Sequence, residues 1–248
     1  MPTETTIGLP FIILHSVDST NNYAMGLVHA GMAQHGTVVF THHQIKGKGQ
    51  RQKQWHSLPD ENITLSIIIK PFGVSINKQF VLSMSIAIGI YKFFCKYAGE
   101  ETKVKWPNDL YWRDRKAGGA LIENVVQGSE WKYAIIGIGL NINQTNFDAI
   151  DNKAVSLKQI TGCNYDTIET AKELISLIDN ALKQWITSPD DISKEYHKSL
   201  YKWKEKQRFK KNNKVFEATV DSVTNDGLLI VKHSIEEHFR TGEIEWLI

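Results

Sequence analysis

The sequence predicts an α/β (α+β) chain: strands with packed helices over 1–203, then a small SH3-like β-barrel over 204–248. Three observations predict it. Short β-branched runs alternate with amphipathic helix patterns from Phe11 to Trp203. One apolar segment, Lys78 to Tyr97, has the length and spacing of a central core helix. Beyond Lys204 the helical patterns stop, and several short strands with turn signals crowd into the remaining residues.

Phe11 to His15 is the first expected strand. Asp18-Ser19-Thr20-Asn21 then precedes Tyr23, Ala24, Met25, Leu27 and Val28 at helical spacing. Asp18 or Ser19 suits an N-cap, because a side-chain oxygen can satisfy free N–H groups of the first turn. Four small polar residues exceed what one cap needs, so a helix N-terminus facing a polar ligand is a second reading. Gly36 to Thr41 is a β-branched strand. It runs into residues 42–55, which lack hydrophobic periodicity and carry Lys46, Gly47, Lys48, Gly49, Arg51 and Lys53. Glycines let backbone N–H groups turn toward an anion, and the basic side chains add charge. The spacing is not that of a Walker A loop. His42 and His43 are adjacent on a strand and point to opposite faces, so no metal site is expected there.

Asn62 to Lys70 is a strand. In the helix that follows, Phe80, Val81, Met84, Ile88, Tyr91 and Phe94 share a face, and Ala87 and Gly89 allow close packing. Thr102 to Trp106 leads into the stretch Lys105 to Glu123, around which the chain is organised. Pro107 disfavours helix for Trp106 and cannot donate to a ladder, so it marks a strand end. Leu110 to Trp112 and Ala117 to Val126 read as a hairpin with Arg113-Asp114-Arg115 near its tip. Gly118 and Gly119 leave bare backbone that a ligand can approach. With Lys116 above it and Asp109 on the facing arm, this is a candidate anion and metal site, although an ordinary hairpin with a solvated tip fits the same residues. Trp131 to Asn143 is a further strand with Gly137 and Gly139 inside it. Asn141 and Asn143 share a side there, either to hold a loop or to read a ligand.

Phe147 to Asn152 reads as a loop, and a short helix begins at Ala154-Val155-Ser156-Leu157 and stops at Gly162. Thr167 to Trp185 is an amphipathic helix with Leu174, Ile178, Leu182 and Trp185 inward. Pro189 to Trp203 is a more polar helix. Lys204 to Lys214 is basic and turn-prone and reads as a solvated linker. Val215–Val220, Leu228–Lys232 and Glu237–Arg240 are the expected strands of the barrel, with a hairpin turn at Asn225-Asp226-Gly227.

Composition excludes several classes. The chain has 29 basic and 27 acidic residues, a formal charge of +2 that gives no field suited to nucleic acid. Cys95 and Cys163 lack metal or redox spacing and fit reduced thiols in the cytoplasm. The N-terminus has no basic segment before its short apolar run, so no signal peptide is expected, and no apolar run is expected to span a membrane.

Four ordered segments together resemble the biotin protein ligases, or biotin–[acetyl-CoA-carboxylase] ligases. Asp18-Ser19-Thr20-Asn21 is similar to the family's (D/E)STN element. Gln44 through Gly47-Lys48-Gly49-Gln50-Arg51 to Trp55 is similar to its GRGxxGxxW loop. Lys105-Trp106-Pro107-Asn108-Asp109 with Lys116, Gly119, Leu121 and Glu123 is similar to KWPNDxxxxxxKxxGxLxE. Gly137-x-Gly139-x-Asn141-x-Asn143 is similar to GxGxNxN. The resemblance covers nearly the whole chain and implies a catalytic domain with a mixed sheet, like that of class II aminoacyl-tRNA synthetases and biotin ligases. It implies that biotin and MgATP give biotinyl-5′-AMP, and that a lysine of a biotin carboxyl carrier domain then takes the acyl group. Lys116, Lys48, Asp109 and Arg51 are the implied catalytic residues, with Asp109 the candidate for Mg²⁺ or for orienting the incoming lysine. Ser19, Thr20, Asn21, Gln44, Lys48, Gly49, Gln50, Lys116, Gly119 and Leu121 are the implied biotin contacts. Lys48, Arg51, Trp55, Asn108, Lys116 and Asn141 are the implied ATP contacts.

The chain also departs from the pattern. Lys48 stands where Arg is usual, keeping the charge without the bidentate fork. Gln50 stands where some members have Arg, Gln52 replaces a loop glycine, and Ala154 lies near where some members carry a Trp over the adenine. With catalytic motifs this close to Met1, a DNA-binding helix-turn-helix is not expected, and a homodimer formed by extending sheets is left open. A lipoate–protein ligase or octanoyltransferase, or a non-catalytic biotin or adenylate sensor, are the competing readings, and fold alone does not separate them.

Overall fold

The computed structural model describes residues 6–147 and 153–248. Its centre is a seven-stranded mixed sheet in the order β1-β2-β5-β9-β8-β7-β6. The strands are β1 (Phe11–Val17), β2 (Val38–Gln44), β5 (Asn62–Ile69), β6 (Thr102–Lys105), β7 (Asp109–Trp112), β8 (Arg115–Gln127) and β9 (Glu130–Asn141), and the short pair β3 (Gly47–Lys48) and β4 (Gln54–Trp55) lies outside this sheet. Only β1 and β2 run parallel; every other neighbouring pair is antiparallel.

The pleat divides the sheet cleanly because successive side chains point to opposite faces. On β5, Ile63, Leu65, Ile67 and Ile69 face the main core. That face is covered by α2 (Gln79–Ala98), α4 (Thr167–Thr187) and α5 (Pro189–Ser199). Gly89 of α2 sits against the backbone of Ile178 in α4, where a Cβ would come within 2.8 Å, so the expected close packing at this glycine is present. Leu174, Ile178, Leu182 and Trp185 are all buried. The opposite face carries α1 (Thr20–His29), which packs Ala24 with Val39, Ile68 and Ile135. Residues Ile76–Ala98 are long and apolar enough to cross a membrane, which corrects the expectation that no run is. Eleven residues of α2 are nevertheless buried inside the protein, as in a core helix.

A second, five-stranded antiparallel sheet forms the SH3-like part, in the order β13-β12-β11-β10-β14. Its strands are β10 (Lys206–Lys211), β11 (Lys214–Val223), β12 (Leu229–Lys232), β13 (Glu236–Phe239) and β14 (Glu245–Trp246). The linker expected over Lys204–Lys214 is therefore a correction: most of it is β10, which pairs on both sides. One buried residue, Phe209, anchors the strand while its basic neighbours stay on the outer side or the rim. Two helix boundaries also differ from expectation. The helix expected to reach Trp203 ends at Ser199, since Leu200 turns extended and bridges Val104 while Trp203 bridges Val220. The short helix α3 (Leu157–Thr161) starts later than Ala154, because Ser156 caps it through a capping box with Gln159 and Ala154 instead bridges Lys116. The loop expected at Phe147–Asn152 lies outside the described residues from 148 onward.

Candidate active site

Cross-strand register builds the site's floor. Directly opposed residues of an antiparallel pair share a face. Thr64 of β5 opposes Gly139 of β9, which opposes Gly119 of β8; two residues along, Ser66 opposes Gly137, which opposes Leu121. These two rows lie on the face away from the main core, and all of these residues but the fully buried Ser66 line a cavity of about 510 Å³.

Three of the four glycines of β8 and β9 have their space taken by side chains. A Cβ on Gly137 would meet Asn21 Oδ1 at 2.4 Å, one on Gly139 would meet the Trp55 indole at 2.5 Å, and one on Gly119 would meet Asp109 Oδ1 at 2.8 Å. Gly118 instead faces the Gly139 carbonyl and Leu140. The bare backbone thus seats the site's own groups, which corrects the open approach expected at Gly118 and Gly119.

At one end of the floor lies a buried polar network. Gln44 Oε1 accepts from the Thr20 backbone N–H at 2.8 Å and lies 3.2 Å from Thr20 Oγ1. Ser66 Oγ lies 2.8 Å from Thr20 Oγ1 and donates to Asn21 Oδ1 at 2.6 Å. Asn21 Nδ2 donates to Glu123 Oε2 at 2.6 Å, and Glu123 Oε1 is 3.7 Å from Lys48 Nζ. Ser19 stands at the N-cap of α1, yet its side chain makes no capping bond, and Asp18 accepts from Asn22 instead. That bond with Asn22 holds the Asp18 carboxyl below its usual range.

Cations gather at the other end. Lys116 Nζ is 2.7 Å from Asp109 Oδ1, a half-buried pair. Lys105 lies directly across β6–β7 from Asp109, with its ammonium 5.0 Å from the Tyr111 ring and 5.7 Å from the Trp246 ring. Burial pulls Lys105 below the ordinary lysine value; Asp109 opposes this, and the charges of Lys116, Lys53 and Lys153 add to it. Arg51, held at φ 55, donates to the Thr241 carbonyl and packs against Gly242, so the 47–55 loop is tied to the second sheet. A second cavity of about 880 Å³ continues from here between the two sheets and shares Arg51, Lys53 and Lys105 with the first.

Of the expected site residues, Ser19, Thr20, Asn21, Gln44, Lys48, Gly49, Gln50, Arg51, Trp55, Asp109, Lys116, Gly119, Leu121 and Asn141 all line the first cavity. Asn108 does not. It accepts from Gln50 Nε2 at 2.7 Å and donates to the Ala120 carbonyl at 2.6 Å, so it braces the Gln50 side chain from behind. Asn141 is buried and donates to the Val155 carbonyl at 3.1 Å, and Asn143 exchanges two bonds with Tyr165. Both asparagines hold loops, the first of the two readings open to them. His42 pairs with Asp60 at 2.7 Å.

Sequence reasoning missed Ser66, Thr64 and Lys105. The first two had a signal: with Asn62 they are the polar residues at alternate positions of an otherwise apolar strand, so they share a face. Lys105 opens the Lys105–Asp109 motif, but its place among Lys53 and Lys153 depends on distant segments.

The site has one carboxylate among the cavity-lining residues, Asp109, and no group of three or more His, Cys, Asp or Glu that could hold a metal occurs among the described residues. Such a set fits Mg²⁺ carried by nucleotide phosphates with a single protein ligand, the usual mode for this ion, rather than a protein-built cage.

The Biotin/lipoate A/B protein ligase family model matches residues 13–141, which hold both ends of this floor. The chain belongs to that family. Bifunctional ligase/repressor BirA of Bacillus subtilis is 27% identical over 179 residues, covering 71% of this chain and 55% of that protein. This chain therefore spans little more than half the length of that relative. Biotin--[acetyl-CoA-carboxylase] ligase of Mycobacterium tuberculosis is 25% identical over 187 residues, covering 74% of this chain and 68% of that protein. The fold is that of the biotin protein ligase from Aquifex aeolicus, solved in complex with biotin and ATP: the TM-score is 0.80 at 20% identity, with 97% of this chain and 99% of that chain covered.

Proposed function

We propose that this protein is a biotin–protein ligase that forms biotinyl-5′-AMP and passes the biotinyl group to a lysine of a biotin carboxyl carrier domain. The observation that carries the reading is the polarity of the floor: a buried hydroxyl–amide network at one end and converging lysines at the other, joined by glycine backbone on which Asn21, Trp55 and Asp109 sit. The family includes enzymes acting on plain acyl acids, and the network is what favours biotin. Its ureido ring offers N–H and C=O groups that can pair with the cavity-lining Thr20, Asn21 and Gln44, which Ser66 holds from behind, whereas an aliphatic tail offers these polar groups no partner.

In the first step a carboxylate oxygen of biotin attacks the α-phosphorus of ATP, and the bond to the β-phosphate oxygen breaks, releasing pyrophosphate. Two anions must meet, so fixed positive charge lowers the barrier. Lys48 and Lys116 serve the carboxylate and α-phosphate, and Arg51, Lys53 and Lys105 suit the departing phosphates. Mg²⁺ on the nucleotide would supply further charge neutralisation there. In the second step the carrier lysine's nitrogen attacks the acyl carbon, AMP leaves, and the amine gives up its proton. Asp109 is placed to orient that amine once Lys116 turns to the phosphate. The 47–55 loop, anchored by Trp55 on Gly139, excludes water from the anhydride. A cytoplasmic setting belongs to the same proposal.

The test is transfer: purified protein, ATP, biotin and an isolated biotin carboxyl carrier domain, followed by intact mass. Addition of one biotinyl group to the carrier supports the reading. An unmodified carrier, under conditions in which another ligase modifies it, overturns it.

A further inference from the structure

Two polar groups in the middle of the floor lack any hydrogen-bond partner among the described residues. Thr64 Oγ1 and Trp55 Nε1 are both shielded from water and unsatisfied. Thr64 is 4% exposed and lines the cavity. It opposes Gly139, the glycine on which the Trp55 indole rests, so the two orphans lie over one cross-strand row. Trp246 Nε1 is also orphaned at the cavity, but it belongs to β14 and meets Phe209 edge to face. Buried hydroxyls and indole N–H groups are normally satisfied, and leaving one unpaired costs free energy, so an orphan on a cavity floor points to a ligand atom.

Its position says which atom. Thr64 is two residues from Ser66, so it stands roughly 7 Å along the strand from the hydroxyl–amide network. Its own row ends at Gly119, against the carboxylate of Asp109 that pairs with Lys116. It thus lies between the end suited to the ureido ring and the end suited to the carboxylate. Biotin has one heteroatom between those groups, the thioether sulfur, a weak acceptor. We propose that Thr64 Oγ1, with Trp55 Nε1 beside it, is a specificity-determining group that donates to the ring sulfur. This rests on the biotin reading above and adds to it a preference within ureido acids.

The probe is desthiobiotin, which keeps the ureido ring and acid chain and lacks the sulfur. Calorimetric binding of biotin and desthiobiotin is compared for the wild type, Thr64→Val, Thr64→Ser and Trp55→Phe. Thr64→Val is expected to lose about fivefold in preference for biotin over desthiobiotin, the scale of one modest hydrogen bond. Thr64→Ser is expected to keep that preference and Trp55→Phe to lose part of it. Thr64→Val is also expected to melt higher without ligand, because it removes an unsatisfied buried hydroxyl. A folded Thr64→Val that binds both acids with the wild-type preference overturns the proposal, as does a wild type with no preference between them. If Thr64→Val does not fold, loss of the preference in Thr64→Ser overturns it instead. A wild type that binds neither acid overturns the biotin reading itself, a separate result.

Discussion

Lys116 and Glu123 each connect two functions at the scale of one residue. The Lys116–Asp109 pair is about one-third exposed on both sides, so its contribution to stability is within about 1 kcal/mol. Lys116→Ala should therefore leave the melting temperature within a few degrees of wild type while reducing adenylate formation by at least about a hundredfold, the scale of losing one fixed charge on a transition state. A folded variant that exchanges pyrophosphate at the wild-type rate would remove Lys116 from the chemistry. Glu123 joins Asn21 to Lys48, linking the first turn of α1 to the 47–55 loop. Glu123→Gln keeps an acceptor but loses its charge, and biotin affinity measured by calorimetry should fall about tenfold. Lys105 gives a pH signature. Its folded value lies below 10.5, so between that value and 10.5 the folded chain holds fewer protons than the unfolded chain, and stability rises with pH across that window. A bound polyphosphate favours the charged lysine and raises the value again. ATP binding in that alkaline window should therefore take up protons, seen by calorimetry in buffers of different ionisation enthalpy. Wild type without uptake would separate Lys105 from the phosphates.

At the scale of elements, glycines in β9 and α1 give a matched contrast. Gly137→Ala would put a Cβ 2.4 Å from Asn21 Oδ1 and push that side chain off Ser66 and Glu123. Biotin affinity should fall at least about tenfold with the fold retained. Gly26, in α1, has nothing within 4 Å, and Gly26→Ala should stabilise by about 0.5–1 kcal/mol without touching affinity. Thermal melts and calorimetry on both variants decide between a glycine seating a site residue and one that is merely tolerated. The elements themselves were largely legible, because β5, α2 and α4 declare themselves by local periodicity. β10 was not: its only apolar residue, Phe209, sits among lysines and an arginine, and its pairing with β11 and β14 is what makes it a strand. Nor could the sequence say that Gly137 and Gly139 would be filled by Asn21 and Trp55, since that depends on segments brought together by the sheet.

At the scale of the whole molecule the site is assembled across both sheets. Trp106 Nε1 donates to the Gly227 carbonyl at 3.1 Å, Lys153 Nζ to the Ile248 carbonyl at 2.7 Å, and Arg51 to Thr241. The order of motifs along the chain made the two ends of the floor legible. Lys105, the second cavity and the brace from Asn108 to Gln50 were not, because each depends on contacts between distant segments. The central claim is that this floor activates biotin with ATP. Its most direct measurement is ATP–pyrophosphate exchange by the purified protein with biotin, lipoate or octanoate as the acid. The account predicts exchange that depends on biotin and is weak with the other two. Exchange with lipoate or octanoate alone would assign the site to a different acid, and binding of biotin with no exchange at all would contradict the catalytic role.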